Sequence, residues 1–173
     1  MSVAFRRESD DEHLEPKFEL PIPAGPNYVT PRGLAQITAK LAELNAHLAT
    51  LTSEEDIKAA KRDLRYWNTR QSTAQQLPPP SGDRVAFGCT VTFLLNGKER
   101  NFTLVGDDEA DAAAGLISFS APLAQAMLDA EAGDVLDFNG KAEAIEVLDI
   151  TVKPELFDAR RDGRETHSPA KLG

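Results

Sequence analysis

The chain has 173 residues, 27% of them charged, and a formal net charge of −9 at pH 7. That length holds one or two small domains, and the acidity argues against autonomous nucleic-acid binding, which needs a basic face to neutralise phosphates. No apolar run approaches the roughly 18–20 residues of a membrane span, no signal core precedes a small-residue cleavage site, and Cys89 is the lone cysteine, so a cytoplasmic protein without membrane attachment is expected. The charge is uneven: residues 30–76 carry 7 Lys/Arg against 5 Asp/Glu, whereas residues 81–153 carry 5 against 13. An acidic body of this kind suits a basic protein surface as partner.

Residues 1–29 mix charges and then turn proline-rich at Pro21, Pro23 and Pro26. They read as an extended or disordered leader, or as a strap in which Phe5, Phe18 and Ile22 dock on the body or a partner. From Thr30 to Gln76 the pattern is that of an antiparallel helical hairpin. Leu34, Ile37, Leu41, Leu44, Leu48 and Leu51 recur at spacings of 3, 4, 3, 4, 3, and so do Ile57, Ala60, Leu64, Trp67, Gln71 and Ala74. This is the a/d rhythm of a coiled-coil seam. Thr30-Pro31 supplies a capping hydroxyl followed by proline at the first helical position. The reversal Thr52-Ser53-Glu54-Glu55-Asp56 forms an acidic tip, with Thr52 or Ser53 as N-cap and Glu55 or Asp56 as its capping-box partner. Tyr66 and Trp67 read as core or junction packing.

Residues 77–83, with three consecutive prolines, cannot continue a helix and make a semi-rigid joint. Beyond it, residues 84–153 read as an α+β domain, an antiparallel sheet with one helix packed across it. Val85–Leu95 alternates, Asn96-Gly97 turns, and Arg100–Val105 returns as a hairpin partner. The acidic run Asp107, Asp108, Glu109 and Asp111 then makes a loop, read as solvated and near a basic partner; it lacks the spacing of a calcium loop. Leu116–Ser120 is a third strand, and Ala121–Ala130 a short helix burying Leu123, Met127 and Leu128. Val135–Phe138, the Asn139-Gly140 turn and Ala142–Val152 complete the sheet. Residues 154–173 read as a flexible tail whose beginning Leu156 and Phe157 could anchor.

Four blocks carry a resemblance. They are Thr30-Pro31-Arg32-Gly33-Leu34, Phe87-Gly88 with Val91 and Phe93, the run from Leu104 to Asp111, and Ile117 to Leu128 followed by Gly133-Asp134. In that order they resemble the GreA/GreB family of bacterial transcription elongation factors, over roughly Tyr28 to Ile150. The resemblance implies an FKBP-like C-terminal domain docking at the rim of the secondary channel of RNA polymerase, and an N-terminal coiled coil entering that channel. It further implies that tip carboxylates help hold the polymerase's catalytic magnesium and a water, so that the polymerase cleaves its own backtracked RNA. At the rim-docking segment this chain has Ser120-Ala121-Pro122 where the family often has Asp-Ser-Pro. The family's tip, approximately Gly-Asp-Leu-Ser-Glu-Asn, is absent, and the arms are shorter by several helical turns. A short-armed branch, the regulator-of-nucleoside-diphosphate-kinase type, is nearer in this respect.

The expectation is therefore a monomeric binding regulator rather than an enzyme, with RNA polymerase as partner and no cofactor or metal of its own. It would dock through Ser120, Ala121 and Pro122 and modulate elongation without strong cleavage. The alternative is a cleavage-stimulating factor acting through Ser53, Glu54, Glu55 and Asp56. Prolyl isomerase activity would rest on fold analogy alone, and fold does not carry function.

Overall fold

The computed structural model describes residues 19–158. Phe5 and Phe18 of the expected strap, and most of the tail, lie outside them. Two helices form the hairpin: α1 (Pro31–Leu48) and α2 (Glu54–Thr73). At 18 and 20 residues they extend about 27 and 30 Å at roughly 1.5 Å per residue. Thr30 caps α1 as its sequence predicts, its side chain accepting from the Gly33 N–H at 3.0 Å, with Pro31 leading the first turn. The seam packs Leu41 and Leu44 against Leu64, with Leu48 and Trp67 alongside. Heptad phase holds along this middle stretch and fails at the base. There Arg70 is buried, while the expected seam residue Gln71 is exposed and bonds across to Thr38 at 3.2 Å.

Two short strands flank the hairpin and pair in parallel, β1 (Tyr28–Val29) with β2 (Gln75–Gln76). This clasp ties the chain entering the hairpin to the chain leaving it. It continues as the Leu77 N–H donates to the Val29 carbonyl at 3.2 Å. Residues 28–29 thus belong to the base of the rod rather than to a disordered leader. Of the strap residues Ile22 is described, and it stays 46% exposed, while polar groups near it make the contacts seen. Glu19 bridges Arg65 at 2.6 Å, and Asn27 is buried.

The body is a five-stranded sheet in the order β5-β4-β3-β7-β6, built from β3 (Cys89–Leu95), β4 (Lys98–Val105), β5 (Leu116–Ser118), β6 (Val135–Phe138) and β7 (Lys141–Val152). Asn96-Gly97 and Asn139-Gly140 both have two positive φ angles, 51° and 80° and then 52° and 77°, as two-residue hairpin turns require. The all-antiparallel expectation needs one correction: β5 runs parallel to β4, pairing Thr103 with Leu116 and Val105 with Ser118. Residues 106–115, with a 3-10 turn at Ala112–Ala114, carry the chain back along β4 instead of reversing it in a tight turn. The helix α3 (Pro122–Met127) is shorter than predicted and buries Ala124 and Met127 most deeply, with Leu123 and Leu128 at the margin. The core joins these to Val85, Phe87, Val91, Phe93, Leu104, Ile145 and Val147. Val85 and Phe87 precede β3 rather than lying in it, yet both are buried.

The hairpin base rests on the body. Gly106 must be glycine, because a Cβ there would run into the Tyr28 backbone carbonyl. The Tyr28 ring meets Phe87 edge-on and Phe119 at a tilt, at 6.0 and 5.2 Å between centroids. A 3-10 turn at Pro154–Leu156 packs against α1 with Leu156 1% exposed, so the start of the tail is anchored as expected.

Candidate functional site

Three groups of residues carry the functional expectations, and the structure sets them in different surroundings. At the tip, Ser53 is the N-cap of α2 by backbone geometry, but its side chain makes no capping hydrogen bond. The capping box expected from the sequence is therefore not formed. Glu54, Glu55 and Asp56 fill the first helical turn and are exposed. The helix dipole favours carboxylates there. Among the described residues their carboxylates have no hydrogen-bond or ion-pair partner.

The segment expected from the sequence to dock, Ser120 to Pro122, leads into α3. Ser120 and Pro122 are exposed and Ala121 is half-buried. Pro122 starts the helix, where its missing N–H costs nothing. The Gln125 amide nitrogen donates to the Phe119 carbonyl at 2.8 Å and steadies the turn from below. The Ser118 and Ser120 hydroxyls both donate to Asp107 Oδ1, the latter at 2.7 Å, which brings their own oxygens to 2.7 Å from each other with no proton left to share between them.

The acidic loop is where the sequence reading is corrected. It is not a solvated run awaiting a basic partner, because its partner is the hairpin. Arg70, 2% exposed on α2, reaches Asp108 Oδ2 at 2.5 Å through Nε and Asp107 Oδ2 at 3.6 Å through Nη2. The same Nη2 donates to Asn27 Oδ1 at 2.7 Å, and Asn27 donates back to the Arg70 carbonyl at 2.8 Å. The Tyr66 hydroxyl donates to Asp108 Oδ1 at 2.5 Å; burial first, and then this bond, push the phenol above its ordinary range. It therefore stays a donor at neutral pH. Glu109 is buried and accepts from the Thr30 hydroxyl at 2.6 Å, while its Oε2 has no hydrogen-bond partner. Desolvation raises the Glu109 carboxyl, against the opposing pull of the Thr30 bond and the Arg32 charge. Asp111 takes a local task, accepting from the Ala113 N–H at 3.2 Å.

The four carboxylates thus face different partners. Among the described residues, no three His, Cys, Asp or Glu side chains stand together so as to hold a metal ion. Sequence reasoning missed Arg70 and Asn27. Arg70 sits one place before a seam position, where a charge reads as solvent-facing. No pattern in the sequence pairs it with Asp107 and Asp108, because their burial, which demands a cation, follows only from the seating of the hairpin. Tyr66, read as junction packing, lies at the junction.

A helical rod with exposed carboxylates at one end is clasped at the other to a five-stranded sheet body. The family model for the C-terminal part of the transcription elongation factors GreA/GreB matches residues 79–154. GreA of Rhizobium leguminosarum bv. viciae is 32% identical over 129 residues, covering 67% of this chain and 81% of the relative. GreA of Helicobacter acinonychis is 35% identical over 122 residues, covering 62% and 74%. Among solved structures, the GreA/GreB factor of Nitrosomonas europaea aligns over 74% of this chain and 99% of its own, at 20% identity and a TM-score of 0.36. The chain belongs to the GreA/GreB family of transcription elongation factors. No helix of the described residues is long and apolar enough to cross a membrane.

Proposed function

We propose that this factor docks on RNA polymerase at the rim of the secondary channel through Ser120, Ala121 and Pro122. The hairpin then partly fills the channel and modulates elongation with little stimulation of transcript cleavage. It acts as a cytoplasmic monomer and is not itself an enzyme. Any phosphodiester hydrolysis would use the polymerase's own magnesium, with the tip carboxylates at most completing that site. The observation that carries the reading is arm length: helices of 18 and 20 residues, about 30 Å at roughly 1.5 Å per residue, shorter than the arms that the family resemblance leads one to expect of a cleavage factor. Carboxylate contact with magnesium needs about 2.0–2.1 Å or one bridging water. A shortfall of two helical turns, about 11 Å, exceeds what side chains can span.

A second reading has one observation in its favour. Glu54, Glu55 and Asp56 are exposed and form no capping box, so among the described residues the helix dipole is what accounts for them. One experiment separates the two. Backtracked elongation complexes with labelled RNA are incubated with excess factor and magnesium. The first reading expects cleavage at background for the wild type and for a Glu54→Ala, Glu55→Ala double variant. Rapid shortening of the RNA that vanishes in the double variant makes the tip catalytic. A pull-down with purified polymerase, repeated with Pro122→Arg, tests the docking surface; unchanged binding by the variant removes it.

A further inference from the structure

We propose that Asp107 is a positioning residue coupling the base of the hairpin to the docking segment, so that the segment takes its docking shape only while the hairpin is seated. The two oxygens of this one carboxylate face opposite ways. Oδ1 accepts from Ser118 and from Ser120, the latter at 2.7 Å, and Ser118 Oγ also receives the Ser120 N–H at 3.2 Å. Oδ2 lies 3.6 Å from Nη2 of Arg70, which is 2% exposed and fixed on α2 by Asp108 and Asn27. Asp107 itself keeps 14% side-chain exposure, and its bond to the Ser120 hydroxyl is open to solvent.

A second link runs beside the first. Phe119, between the two serines, packs its ring 5.2 Å from Tyr28 on β1, the strand that leads into α1. Its N–H donates to the Val105 carbonyl at 2.9 Å, at the end of the strand that leads into Asp107. If α2 lifts, Asp107 loses its cation and Phe119 loses a neighbouring ring together. The two serines then lose the oriented acceptor that turns the chain toward Pro122. A serine at position 120 suits this arrangement, because an aspartate there would set a second carboxylate against Asp107. The consequence for polymerase rests on the docking reading above; the coupling itself belongs to the free chain.

Coupling is reciprocal, so a change in the segment must be felt at the hairpin base. The reporters are the amides of Gln75 and Leu77, which donate to the carbonyls of Asn27 at 2.8 Å and Val29 at 3.2 Å. Ser120 is exposed, so Ser120→Ala leaves the fold intact. Hydrogen exchange of these two amides in the full free chain is expected to quicken about fivefold, the low end of typical coupling between sites. Asn101→Ala, which loses only an exposed bond to Thr92, serves as control and leaves them unchanged. Asp107→Asn keeps an oxygen for the serines but loses the charge beside Arg70. It is expected to quicken the same amides, and adding Ser120→Ala to it does little more, since both act through one group.

In a titration with purified polymerase, Asp107→Asn weakens binding by about the same factor. Exchange at Gln75 and Leu77 that is identical in wild type and Ser120→Ala, or effects of the two substitutions that simply add, overturns the coupling. If the wild type does not bind polymerase, the docking reading falls and the exchange result alone decides the coupling.

Discussion

Replacing Arg70 with methionine keeps much of the side-chain volume and removes the charge from the centre of the hairpin–body junction. The guanidinium is 2% exposed and serves Asp108 at 2.5 Å, Asn27 at 2.7 Å and Asp107 at 3.6 Å. Without it, the Asp108 carboxylate, 7% exposed, keeps among the described residues the Tyr66 hydroxyl. Breaking a buried pair from one side typically costs about 3–5 kcal/mol, because an uncompensated charge remains buried. For a chain of this size each kcal/mol shifts the melting temperature by about 2–4 °C, so the variant is expected to melt on the order of 10 °C lower. Calorimetry or circular dichroism at neutral pH measures this. Adding Asp108→Asn to the methionine variant removes the stranded charge and is expected to recover part of the loss. A loss under about 1 kcal/mol, the scale of an exposed ion pair, would show that water screens the cluster and refute the argument. A double variant less stable than the single one would refute it equally.

Two further outcomes follow from the packing and the titration behaviour. Leu44→Ala opens the seam between Leu41, Leu64 and Trp67 and is expected to cost about 2–5 kcal/mol by urea unfolding; a loss under about half a kcal/mol would mean the seam does not close there. Glu109 has its folded-state value raised mainly by burial, so its contribution to stability is full below the unfolded value and is lost as pH rises through the folded one. Glu109→Gln removes that titration and keeps an oxygen for the Thr30 hydroxyl, so its melting temperature relative to wild type is expected to improve from about pH 4 to pH 7. A difference that is constant across this range, or that shrinks, contradicts the sign.

The sequence alone determined the elements whose signals are local. Heptad spacing from Ile37 to Leu64 placed the rod, Thr30-Pro31 its start, and the two Asn-Gly pairs the sheet hairpins, because each depends on backbone and side-chain preferences within a few residues. The ordered blocks around Gly106 and Pro122 placed the family. What only the tertiary structure decided is how the pieces meet. Whether Asp107 and Asp108 are solvated or buried depends on Arg70, some forty residues away in the chain, and no periodicity reports a contact of that separation. The same holds for Asn27 inside the clasp, for Glu109 beneath Thr30, and for β5, whose parallel direction is set by the path of residues 106–115 rather than by its own three residues. At the tip, Ser53 had the right residue type for a capping box, yet its hydroxyl makes no such bond. A local motif states which bonds are available; the packed chain selects which are made.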